Sequence, residues 1–250
     1  MRPIERAGYM AHARTKWFRK RLCEAKRVVG EMLHYCNHPY IAFSGGKDST
    51  CVLSLVWEQA PEVPAVYFDA ACAFPETYEL LDRLEKVGRP IIRWPCQPFL
   101  DILEQAGGPN GPHVEEATMM GTVYRPIKTL LAAKHYDGVL LGLRRDESNG
   151  RRVLIHARGL LFPNKRDGIM ECLPVGWWSY QEVWAYIISR ELDYNRAYDK
   201  QSDLPIRNRR ISYWAGESER HNGRWVWLRR TYPDLWNQFA ARFPEVGSFT

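Results

Sequence analysis

The segment that most restricts this 250-residue chain is Ser44-Gly45-Gly46-Lys47-Asp48-Ser49-Thr50. A short β-prone tetrad, 40–43, leads into it, and the apolar run 51–57 continues from it as a helix. Two adjacent glycines let the backbone turn sharply and approach a ligand with no Cβ in the way. Amide N–H groups of such a turn, with those opening the next helix, converge on one point and bind an anion. Ser44, Ser49 and Thr50 add hydroxyls and Lys47 adds a mobile positive charge, so the heptad reads as a phosphate cradle. It is not a Walker A loop, because Lys47 is followed by Asp48, and it is not G-x-G-x-x-G.

The same rhythm runs along the chain. Apolar residues at Phe18, Leu22, Ala25, Val29, Met32, Leu33 and Cys36 predict one helix over about 11–36. Segments 63–68, 90–94, 138–142 and 169–175 read as strands, and 75–87, 99–105, 126–135 and 179–192 as helices, the last capped by Ser179. Residues 107–122, rich in Gly and Pro without an apolar period, read as a long loop or lid. Strands alternating with helices predict an α/β fold with a parallel sheet covered on both faces. The division expected is a helical lead-in (1–38), a nucleotide-binding domain (39–192) and a mostly helical or irregular C-terminal extension (193–250).

Composition narrows the class. Ten Trp and 13% aromatic residues exclude disorder, and no apolar stretch approaches the ~20 residues that span a bilayer. Thirty-five basic against 29 acidic residues leave +6, which favours an anionic ligand. The six cysteines are scattered without a C-x-x-C pair, which fits a reducing cytoplasm and argues against a zinc knuckle or an iron–sulfur cluster. The basic start superficially resembles an organellar presequence, but it runs without a break into the predicted helix.

SGGKDST is similar to the pyrophosphate loop of the ATP pyrophosphatase superfamily. The segment Tyr67-Phe68-Asp69-Ala70-Ala71-Cys72-Ala73-Phe74-Pro75-Glu76-Thr77-Tyr78 resembles the DTGxxFPETY motif of the phosphoadenosine phosphosulfate reductase family. Gly142-Leu143-Arg144-Arg145-Asp146-Glu147-Ser148 resembles its GxRRxxS segment, and Pro174, Trp178 and Val183-Trp184-Ala185-Tyr186-Ile187 its P-x-x-x-W…VW-x-YI stretch. Residues 193–199 look like its LPYNPLYD. The resemblance implies a Rossmann-like sheet with an adenosine nucleotide, ATP or an adenosine phosphosulfate, at the carboxyl ends of its strands. It implies that Ser44, Gly45, Gly46, Lys47, Asp48, Ser49 and Thr50 hold terminal phosphates or a sulfate, and that Asp69 and Gly142 line the nucleotide. Lys47, Arg144 and Arg145 are then the catalytic cations, with Mg²⁺ expected on the phosphates and Asp48 a candidate to help hold it.

Departures from the family bear on mechanism. Its reductases attack sulfur with a cysteine in an ECGIHxG-type tail, whereas this chain reads Phe243-Pro244-Glu245-Val246-Gly247-Ser248-Phe249-Thr250 there, and Cys172 reads as a strand residue. Adenylyl transfer with pyrophosphate release is therefore expected ahead of sulfite-forming reduction. The sequence leaves homo-oligomerisation open. It also leaves open a nucleic-acid contact through Arg207, Arg209, Arg210, Arg220, Arg224, Arg229 and Arg230, interleaved with Tyr213, Trp214, Trp225 and Trp227. The competing reading is that these aromatics anchor the extension to the sheet while the arginines stay in solvent or line the nucleotide pocket.

Overall fold

The computed structural model describes residues 1–205, 209–211 and 224–249. It begins with two helices where the apolar period predicts one: α1 (Pro3–Ala13) and α2 (Lys16–Tyr35). The break lies at Thr15, whose hydroxyl oxygen accepts from the Phe18 N–H at 3.1 Å and whose O–H donates to the His12 carbonyl. An N-cap of this kind satisfies an orphan amide and starts a new helix. Phe18, Ala25, Val28, Val29 and Met32 form the buried stripe of α2.

The chain then alternates through β1 (Pro39–Ala42), α3 (Lys47–Trp57), β2 (Ala65–Asp69), α4 (Pro75–Lys86), β3 (Ile91–Pro95) and α5 (Phe99–Gln105). Next come α6 (Val114–Met119), a π-helical turn at Met120–Tyr124, α7 (Arg125–Lys134) and β4 (Gly138–Leu141). The loop expected over 107–122 is thus partly helical. Its apolar set is too short to show a period, yet Val114 is buried, and a Cβ on Gly121 would lie 2.5 Å from Ile102 Cδ1. Close packing, not mobility, explains that glycine.

After β4 follow α8 (Asn149–Arg158), β5 (Leu161–Asn164), β6 (Ile169–Cys172) and α9 (Tyr180–Ser189). Neither α8 nor β5 is expected from the sequence, and β6 stops three residues short of the predicted strand. The six strands lie in the order β3-β2-β1-β4-β6-β5. β2, β4 and β6 join parallel ladders, whereas β5 runs antiparallel to β6, so the sheet is Rossmann-like and flanked by helices but not wholly parallel. A tight return from β5 to β6 forces that direction, since a parallel pair would need a crossover. α10 (Arg224–Thr231) and α11 (Pro233–Arg242) close the described chain with a short 3₁₀ turn after them. No described helix is long and apolar enough to cross a membrane.

The contacts divide the chain into two compact units that do not follow its linear order. One comprises 1–67, 76–93 and 131–196, and holds the phosphate-cradle segment. The other comprises 68–75, 94–130 and 197–250. Its core is aromatic: Phe74, Phe99, Trp225, Trp227, Tyr232, Trp236, Phe239 and Phe243 are buried together, with Phe74 stacked on Tyr232 at 4.7 Å. Trp225 and Trp227 therefore serve this core of the second unit, and the adjacent Arg224 is buried and not in solvent, 1% exposed. Arg207, Tyr213, Trp214 and Arg220 lie outside the described residues.

Candidate active site

The heptad connects β1 to α3 as its composition requires. Gly45 takes φ +71°, a left-handed conformation that favours glycine, and Gly46 caps α3 with an extended backbone. The loop's hydroxyls are used mainly on the loop itself. Ser49 Oγ and Thr50 Oγ1 donate to the Gly46 carbonyl at 3.0 and 2.9 Å, and Ser44 Oγ lies 3.1 Å from Ser49 Oγ. Ser44 Oγ also accepts from the Gly46 N–H at 3.3 Å. These bonds preorganise the turn around the first amides of α3, a ready site for an anion.

Gly142 follows β4 directly and faces the start of α3. A Cβ there would lie 2.6 Å from Ser49 N and 2.8 Å from the Asp48 carbonyl carbon. Only a glycine permits this approach, so Gly142 shapes the loop from the neighbouring strand.

Asp48 is the electrostatic centre. Its Oδ2 accepts from Lys47 Nζ at 2.7 Å and its Oδ1 from Arg144 Nε at 2.5 Å. Burial alone would raise its pKa, but Lys47 and Arg144 outweigh burial and hold the carboxyl below the ordinary carboxylate range. Arg144 is 4% exposed, donates to the Trp178 carbonyl at 3.4 Å, and stays charged because Asp48 and Glu147 overcome the opposing effect of burial. Lys47 is also buried, with its ammonium 5.4 Å from the centre of the Tyr180 ring. Two buried cations thus share one carboxylate at the start of α3. The sequence singles out all three residues but not Tyr180, which α9 brings in from 133 positions away.

Arg145 behaves differently from Arg144. Its guanidinium stacks over the Trp177 ring at 5.3 Å and approaches Asp146 at 3.4 Å. The expected pair of adjacent guanidinium forks is thus one buried ion-pair partner and one partly exposed stacked cation. Asp69 ends β2, in the second unit, where its Oδ1 accepts from the Ala71 N–H at 2.9 Å. Ala71, which replaces the glycine of DTG, takes φ +55°, a strained value for a residue with a Cβ.

The donor set does not suit a protein-held Mg²⁺. Both Asp48 oxygens are engaged by cations, and among the described residues no three His, Cys, Asp or Glu side chains come together as a metal site. The thiols are largely withdrawn. Cys36, Cys51 and Cys172 are buried, and burial pushes Cys36 up to about 11 and Cys172 higher still. Burial, with Asp69 nearby, pushes Cys72 and Cys96 up to about 12. Cys23 alone is exposed.

A family model described as the phosphoadenosine phosphosulfate reductase domain matches residues 38–250. An adenosine 5'-phosphosulfate reductase of Halalkalibacterium halodurans is 28% identical over 180 residues, covering 71% of this chain and 73% of that protein. In fold, the chain is similar to a phosphoadenylyl-sulfate reductase of Candida auris, at TM-score 0.57 and 17% identity, covering 70% of this chain and 84% of that one. It is also similar to an FMN adenylyltransferase of Candida glabrata, at TM-score 0.55 and 12% identity, covering 78% and 65%.

Proposed function

The chain belongs to the phosphoadenosine phosphosulfate reductase domain family, and from that premise we propose that it is an enzyme that binds an adenosine phosphosulfate and releases sulfite. The expectation that adenylyl transfer leads is reversed here, because relatives such as those of Halalkalibacterium halodurans and Gloeobacter violaceus carry reductase names. The observation that carries the binding half of this reading is the preorganised loop with its two buried cations on Asp48. The α3 amides and Lys47 would hold the terminal anionic group, and Arg144 would stabilise charge developing on the leaving phosphate. Asp48 keeps both cations aligned before substrate arrives.

Sulfite formation consumes two electrons, which a dithiol supplies as it closes to a disulfide. A thiolate displaces the adenosine phosphate from sulfur, and a second thiol then displaces sulfite from the first. The withdrawn thiols of this chain favour a separate dithiol as reductant. The same observation supports a second reading, in which an oxyanion attacks the α-phosphorus of ATP and pyrophosphate leaves.

A paired assay separates the two. We expect sulfite from an adenosine phosphosulfate with dithiothreitol, falling about 100-fold or more in Lys47→Ala and Arg144→Ala. Pyrophosphate from ATP without sulfite would select the second reading. Neither product, with no nucleotide bound in calorimetry, would overturn both.

A further inference from the structure

We propose that a face built by the start of α2, the turns at Arg145 and Trp177, and α8 docks a single-stranded polynucleotide. The inference is independent of which reaction the phosphate loop supports. Trp17, Arg21, Trp177 and Arg145, from three separate segments, form one alternating column there, and His156 of α8 flanks it. The Arg21 guanidinium lies over the Trp17 ring at 4.7 Å and over the Trp177 ring at 6.0 Å. The Arg145 guanidinium covers Trp177 at 5.3 Å, and the exposed His156 ring meets Trp177 edge-on at 4.9 Å. The column is anchored from below: the buried Trp178 donates its indole N–H to the Arg21 carbonyl at 3.4 Å, and Arg145 N–H donates to the Gly176 carbonyl.

The outer end of this column is open. Trp17 is 54% exposed although one side of its indole carries Arg21. A large exposed indole, already oriented by a cation, is a platform on which a base can stack. The surrounding charge suits the phosphates of such a strand. Arg6, Arg14, Lys16, Arg19, Lys20 and Arg21 fall within 6–23, and that stretch holds no acidic residue. Arg14, Lys16, Arg19 and Lys20 are exposed, as is Arg152 on α8. Two acids do reach the column, Glu24 at 3.1 Å from Arg21 and Asp146 at 3.4 Å from Arg145, and the flanking cations outnumber them. Charge draws in any polyanion, whereas the indole selects one whose bases are unpaired. No element of the column reads the sugar, so RNA and DNA should bind alike.

Fluorescence anisotropy of labelled 12-nucleotide RNA and DNA strands tests the proposal on the whole chain. We expect saturable binding to both at 50 mM salt, weakening roughly 20- to 50-fold by 200 mM as three to four phosphates are neutralised. Trp17→Ala should weaken binding about fivefold or more with an unchanged circular dichroism spectrum, and Trp17→Phe should restore most of it. The pair Lys16→Glu and Lys20→Glu should flatten the salt dependence. Absence of saturable binding at 50 mM salt would overturn the proposal. So would wild-type affinity in Trp17→Ala, or equal affinity for a duplex or polyglutamate, either of which would mark a general polyanion surface.

Discussion

Lys47, Asp48 and Arg144 illustrate how one carboxylate can hold two cations ready for an anion. Lys47 and Asp48 are adjacent, so their pairing is local and legible in the sequence. Arg144 reaches Asp48 from 96 positions away, and nothing in its neighbouring residues distinguishes its path from that of Arg145. The difference arises in packing: Arg144 is buried and donates to the Trp178 carbonyl, while Arg145 stacks on Trp177. The cysteines make the same point. Their scatter is visible in the sequence, but their withdrawal depends on burial. At pH 7.5, iodoacetamide should label Cys23 first in the native protein. Cys36, Cys72 and Cys96 should react about a hundredfold or more slowly, because raised pKa values leave few thiolates. Peptide mass spectrometry would read the order, and prompt labelling of Cys172 would contradict its place inside β6.

At the scale of elements, α3 is positioned by glycines on two strands' ends. Gly45 and Gly46 form the turn from β1, and Gly142 lets β4 lie against the helix start. Gly142→Ala should push the loop away from the strand. The expected result is nucleotide binding weakened at least about tenfold in titration calorimetry, through contacts under 3 Å that backbone atoms cannot yield cheaply. An unchanged affinity would show that the loop tolerates displacement. Capping is well written in the sequence: Ser179 accepts from the Glu182 N–H and Glu182 Oε2 accepts from the Ser179 N–H, as a Ser followed three residues later by Glu predicts. Short elements are not. α6 and β5 span six and four residues, too few for a period to stand above chance, and only their tertiary neighbours justify them.

Across the whole molecule, residues far apart in sequence are gathered into two units. The second unit owes its core to aromatic side chains from 68–75, 94–130 and the C-terminal helices. Phe239 is fully buried there between Trp225, Trp236 and Phe243. Phe239→Ala should cost about 3–5 kcal/mol in urea unfolding, through lost burial and a residual cavity. A change under 1 kcal/mol would mean that this core does not stabilise the chain.

What the sequence by itself determined is the strand–turn–helix at 39–57, the α/β rhythm and the family, because each rests on residues close together along the chain. Turn chemistry, capping and periodicity act over a few positions and so can be read directly. Only the tertiary structure decided that Arg144 is buried on Asp48, that Tyr180 covers Lys47, and that the C-terminal tryptophans are core. Those outcomes depend on desolvation and on partners about 100 or more positions away, and neither leaves a local trace.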